Sequence, residues 1–150
     1  MTEFSYLLIT LLLGALFGGI TAFTVMFAPL IFVKLPADIA GRFVRAVFPW
    51  YYLYLIVSSA VACVLLFLSS HLWLGLVSLL VAGVGVYART VLMPLINELR
   101  DAELAGDMDA GEQFKVQHRF SVIVNVVQWV LAAYLLWAWA SPAIEKATGQ

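Results

Sequence analysis

Four stretches of this chain, residues 6–33, 47–68, 72–96 and 120–140, are apolar for longer than a globular core requires. Each meets the roughly 20-residue length that crosses about 30 Å of hydrocarbon. Backbone N–H and C=O groups in lipid find no water, so each stretch must satisfy its own as a helix. The composition agrees: 64% of residues are hydrophobic and 11% charged, where a soluble domain carries about 25% charge. The expectation is an all-α protein, an integral membrane four-helix bundle in one domain over residues 1–150. The only long polar segment is the loop at residues 98–119.

The first stretch follows Met-Thr-Glu-Phe-Ser and has no basic flank. It far exceeds the apolar core of a signal peptide and reads as a retained first span. Pro29 and Pro36 predict a kink or break at its inner end. Pro49 reads as a first-turn residue of the second helix, where its missing N–H is harmless. Pro94 falls near the end of the third. Only Ser69, Ser70 and His71 separate the second and third stretches, which makes them an antiparallel hairpin.

Lys34, Arg42, Arg45, Arg100, Lys115 and Arg119 share one side, against Lys146 on the other. The positive-inside rule then places both termini outside the cytoplasm, as in a bacterial inner membrane. Trp50, Tyr51 and Tyr52 would mark the inner interface, and Trp73, Trp137 and Trp139 the outer one. Gly14 and Gly18, with Ala15, Gly19 and Ala22 beside them, Ser59 and Cys63, and Gly83 read as close-packing positions between helices. A homo-oligomer face is the alternative.

Arg89 is a permanent cation inside an apolar span. Its insertion costs about 2.5–3.5 kcal/mol near a helix centre, so it calls for partners. His118, Ser121, Asn125 and Gln128 recur at spacing 3, 4, 3 and share one face of the fourth helix. That face should look into the bundle. Arg89, Met93, Asn97 and Arg100 recur at 4, 4, 3 on the third helix, with Glu98 alongside. A rise of about 1.5 Å per residue brings Arg89, Asn125 and Gln128 to one level. His118, Ser121, Asn97 and Glu98 would then lie nearer the water. Two readings follow. The cluster is interhelical glue, or it lines a cytoplasm-facing pocket for a small anionic or aromatic ligand or a lipid headgroup. The candidate ligand-binding residues are Arg89, Asn97, Glu98, His118, Ser121, Asn125 and Gln128.

Other chemistry is poorly supplied. The net charge of −1 gives no nucleic-acid footprint. Cys63 stands alone, so neither a disulfide nor a zinc spacing exists. His71 and His118 fall at opposite faces, which excludes a bis-His haem; ligation by His118 alone stays open. No metal site is expected, and the sequence leaves any cofactor unknown. Asp101, Glu103, Gly106, Asp107, Asp109 and Glu112 echo a calcium-loop frame. Ala105 at its fifth place has no ligand, and a solvated helix-turn-helix is the simpler reading. There Asp109 caps the fourth helix and Glu112 completes a capping box.

The order of Arg89, Met93-Pro94-Leu-Ile-Asn97-Glu98, His118-Arg119-Phe-Ser121, Asn125 and Gln128 resembles the transmembrane-protein-205-like proteins, a group classed as domain of unknown function number 4149. Phe27-Ala28-Pro29 and Phe48-Pro49-Trp50-Tyr51 fit as well. The resemblance covers nearly the whole chain and implies a four-helix integral membrane protein without an assigned biochemical role. The Pro-x-x-Asn-Glu and His-Arg elements are also similar to anthrone-oxygenase-like membrane proteins, which implies cofactor-free oxidation of an aromatic ligand only by analogy. Three functions therefore stand open. They are a membrane protein with a ligand pocket, a structural accessory of a larger membrane complex, and a cofactor-free membrane oxidase. Expected partners are membrane lipid, a small molecule, a second copy or a membrane complex.

Overall fold

The structure, a computed structural model, describes residues 3–148. Lys146 lies outside the residues whose side chains are described. Four helices follow one another: α1 (Glu3–Lys34), α2 (Ala37–Leu68), α3 (Leu72–Leu104) and α4 (Met108–Thr148). All four are long and apolar enough to cross a membrane, and the described residues contain no strand. They run up-down-up-down around a ring. α2 and α3 pack most extensively, α4 lies against α3, and α1 closes the ring between α4 and α2.

Every helix outruns the hydrocarbon. Twenty residues from Leu72 reach about residue 92, yet α3 continues to Leu104. The segment 98–119, expected as a loop, is helical except at residues 105–107. Gly106, at φ 103°, ends α3: its N–H donates to the Glu103 carbonyl (3.0 Å), and that of Asp107 to Ala102 (3.1 Å). This double bond with a left-handed glycine is a standard helix stop. Asp107, not Asp109, then caps α4, its Oδ1 accepting from the Ala110 N–H at 3.0 Å. Glu112 pairs with Lys115 at 2.7 Å instead of closing a capping box. The calcium-loop echo is thereby split over two helix ends.

The prolines act in two ways. Pro29 and Pro94 each follow a π-helical segment, Ala22–Phe27 and Ala88–Leu92. The Ala28 N–H donates to Phe23 O and that of Met93 to Ala88 O, each five residues back. A proline lacks its own N–H and crowds the carbonyl four residues earlier. The wider π turn relieves that crowding, so α1 and α3 continue through their prolines. Pro49 is inside α2, not in its first turn. The helix starts earlier because Pro36 and the extended Leu35 form the whole link from α1. The α2–α3 turn is as short as its sequence requires, and Ser70 adopts φ 63° to make it.

Side chains fill the ring in two layers. Leu13, Leu66, Val81 and Leu135 centre the one nearer the α2–α3 turn; Leu16, Ile20, Leu55 and Ala132 centre the one nearer the basic end. Two indoles clasp α4 to α1. Trp139 Nε1 donates to Thr10 Oγ1 and Trp129 Nε1 to Thr21 Oγ1, both at 2.9 Å. Each threonine hydroxyl donates back to a carbonyl of its own helix.

Two packing expectations need correction. A side-chain Cβ added at Gly14, Gly18 or Gly83 would meet nothing within 4 Å. The close approaches occur at Gly19 under Tyr54, Gly75 under Phe67 and Gly85 under Ile56. The aromatic belt is also thinner than expected. Trp50, Trp73 and Trp137 are exposed, whereas Tyr51, Tyr52 and Trp139 are buried. Consecutive residues on a helix diverge by about 100°, so the Trp50-Tyr51-Tyr52 run cannot share one face.

Candidate functional site

At the end of the bundle that carries the basic residues, α2, α3 and α4 diverge around a half-enclosed cavity of about 90 Å³. Its walls are mainly apolar: Val44, Phe48, Leu92, Met93 and Ile96. Arg45, Tyr52, Asn97, His118 and Ser121 supply the polar groups. The π segment of α3 ends at Leu92, and Met93 follows, so the widened turn carries these two residues into the wall.

Three expected site residues, Asn97, His118 and Ser121, line this cavity. Arg89, Glu98, Asn125 and Gln128 do not. Arg89 is half-buried in the π segment and makes no hydrogen bond or ion pair with the described residues. The expected meeting of Arg89 with Asn125 and Gln128 is not formed. Glu98 is exposed. Gln128 is fully buried; its Nε2 donates to the Val81 carbonyl of α3 at 3.2 Å, while its Oε1 has no partner.

The polar face of α4 does enter the bundle, but it is divided between two neighbours. Gln128 reaches α3, while Asn125 reaches α2. Asn125 Nδ2 donates to Ser121 O (2.9 Å) and to the Tyr52 hydroxyl (3.1 Å), and its Oδ1 accepts from the Tyr51 hydroxyl (3.2 Å). The amide orientation is fixed by the Ser121 carbonyl, which can face only the NH₂ group. Asn125 therefore orients Tyr52 from behind the cavity wall. Phe23 stacks on Tyr51 with ring centres 4.2 Å apart and backs the same pair.

Arg45 supplies the cavity's guanidinium, a place expected for Arg89. Its Nη1 and Nη2 reach the Asp101 carboxylate at 3.0 and 2.7 Å, and Nη2 also donates to the Asn97 carbonyl at 3.3 Å. These bonds tie α2 to α3 and place the basic ends of the first and third connections on one side. The Asp101 carboxyl, beyond the apolar crossing, is held below the usual carboxylate range by its hydrogen bond from Arg45. His118 sits exposed at the rim and stacks on Phe114 with ring centres 5.7 Å apart. Arg100 covers the same phenyl ring at 5.3 Å.

Arg45 and Tyr52 were missed because each had a simpler role in the sequence, as a loop cation and an interface aromatic. Their spacing with Phe48, 3 then 4, was the available signal for a shared helix face.

Residues 11–105, which carry most of α1 and all of α2 and α3, match the family described as a domain of unknown function, DUF4149. The chain belongs to that family. Within this DUF4149 protein the match includes Arg45, Tyr52, Arg89 and Asn97, while His118, Ser121, Asn125 and Gln128 lie beyond it. No curated protein and no solved structure matches the chain.

Proposed function

We propose that this DUF4149 protein binds a small amphiphile at the cytoplasmic end of its bundle, in the cavity between α2, α3 and α4. The observation that carries the reading is an apolar recess edged by Arg45, Asn97 and His118, at the end of the bundle that bears the basic residues. The volume bears on the ligand. A cavity of about 150 Å³ accommodates benzene, and this one holds about 90 Å³. A flexible chain-like group with a polar or anionic end fits that space better than a whole aromatic ring.

The orientation belongs to the same proposal: both termini lie outside the cytoplasm of a bacterial cell. Six Lys and Arg residues at the inner end support it. The motif order further supports grouping the chain with the transmembrane-protein-205-like proteins. Among the expected residues outside the cavity wall, Asn125 supports the site through its bond to Tyr52.

The test replaces Met93 by Trp, which fills the recess without touching the Arg45–Asp101 pair. Wild-type protein in nanodiscs of inner-membrane lipids should retain bound amphiphile through size exclusion, and Met93→Trp should lose it. Equal retention by both proteins refutes the site. A reporter fused after Gln150 that is active only in the cytoplasm should stay silent; activity would refute the orientation.

A second reading, an accessory subunit, has its own observation. α1 exceeds a roughly 20-residue crossing by about a third of its length, and the excess exposes Phe27, Leu30, Phe32 and Val33. Photocrosslinking from Phe32 to a membrane protein, rather than to lipid, would favour it.

A further inference from the structure

Tyr52 has a hydroxyl proton with no acceptor among the described residues. Its oxygen accepts from Asn125 Nδ2 at 3.1 Å. An amide NH₂ can only donate, so that bond leaves the phenolic O–H unspent. The ring is 2% exposed, and Tyr52 lines the cavity. Its neighbour Tyr51 is different, because its proton goes to Asn125 Oδ1. One amide thus holds both phenols and sets their opposite roles. A buried donor without an acceptor is destabilising, so whatever occupies the recess should bring an acceptor to Tyr52.

Depth and charge identify that acceptor. Arg45, Phe48 and Tyr52 stand along one face of α2, with Arg45 about 10 Å nearer the inner surface than Tyr52. Arg45 and His118 mark the rim, and Leu92 and Met93 the apolar wall. From rim to floor the lining runs cation, apolar wall, hydroxyl donor. An inner-leaflet glycerophospholipid offers a phosphate for the rim and, one glycerol further in, an ester carbonyl for the phenol. A neutral carbonyl also suits the buried phenol, since burying an anion there would require desolvating its charge. The small volume agrees, because the recess need hold only the glycerol-ester segment while the chains lie in the bilayer.

Resting on the pocket reading, we infer that the cavity is a phospholipid site in which Tyr52 donates its O–H to an ester carbonyl and Arg45 and His118 face the phosphate. No bond is made or broken; this is a binding site.

The experiment titrates the detergent-purified full chain with diacyl phosphatidylglycerol and with its diether counterpart, which keeps the headgroup but lacks both carbonyls. Bound lipid is counted by native mass spectrometry. Wild type should bind the diacyl lipid about 3–10-fold more tightly, the worth of one neutral hydrogen bond. Tyr52→Phe should lower diacyl binding to the diether level and leave diether binding unchanged. Equal wild-type affinities, or a preference that survives Tyr52→Phe, would overturn the carbonyl assignment. Met93→Trp separates the two levels. It should abolish binding of both lipids, and unchanged binding there would overturn the pocket itself. Full displacement of lipid by inorganic phosphate would show an anion site and also overturn the assignment. Tyr52→Phe keeps the buried ring, and its thermal midpoint, measured alongside, should stay near wild type.

Discussion

Replacing Gln128 by Leu should stabilise this protein, although it removes a hydrogen bond from the middle of a membrane bundle. Gln128 is fully buried between α4 and α3. Its Nε2 bond to the Val81 carbonyl is 3.2 Å long, and interhelical bonds in membranes average about 0.6 kcal/mol. Its Oε1 has no partner, and an unsatisfied buried acceptor costs about 1–3 kcal/mol. Leucine removes both terms and has similar bulk. Val81 O stays in its own helix, so no new orphan of comparable weight appears. The balance favours Gln128→Leu by about 1–2 kcal/mol. Asn125→Leu is the control. It breaks both tyrosine bonds, leaves the buried Tyr51 hydroxyl with Thr24 alone, and should destabilise by about 1–3 kcal/mol, the worth of two hydrogen bonds. Equilibrium unfolding in mixed micelles, with helix content read by circular dichroism, measures both. A loss of stability in Gln128→Leu of more than about 1 kcal/mol would refute the reasoning. It would mean that Oε1 has a partner in the working protein, such as an internal water or the unpaired Arg89.

Gly85→Ala should destabilise by about 1 kcal/mol, since its Cβ would lie 3.0 Å from Ile56 Cγ1. Gly18→Ala meets nothing within 4 Å and should be neutral or stabilising by up to about 1 kcal/mol in the same unfolding assay. Trp139→Phe loses the bond to Thr10 and buried ring area and should cost about 1–3 kcal/mol, while exposed Trp137→Phe should stay within about 0.5 kcal/mol. The Arg45–Asp101 tie has a defined pH window. Because the folded Asp101 pKa is depressed, its contribution is complete above the unfolded value of about 3.9 and is lost as pH falls through the folded one. Amide exchange at residues 97–101 should thus stay constant, after correction for intrinsic rates, from neutral pH down to about 5. Arg45→Gln should raise it at every pH.

The sequence by itself determined the number of spans, the α2–α3 hairpin and the common side of the basic residues. Each follows from a one-dimensional constraint: apolar length against bilayer thickness, a connection too short to cross, and charges excluded from hydrocarbon. The inward turn of the α4 polar face was also legible, because spacing 3, 4, 3 fixes a face whatever the neighbours. Partner choice was not. Axial depth brings Arg89 level with Gln128, but depth says nothing about azimuth around the helix, and the π segment at Ala88–Leu92 changes it further. Asn125 turned instead to Tyr51 and Tyr52 on α2. The same limit hid Arg45 and made Gly14 and Gly18 look like packing positions, since small size shows where an approach is permitted and not where a neighbour arrives. Only the tertiary arrangement decided which phenol keeps a free proton, which guanidinium edges the recess, and which buried amide oxygen is left alone. Those outcomes depend on how three helices rotate against one another, and that rotation is set by the summed packing of the whole ring.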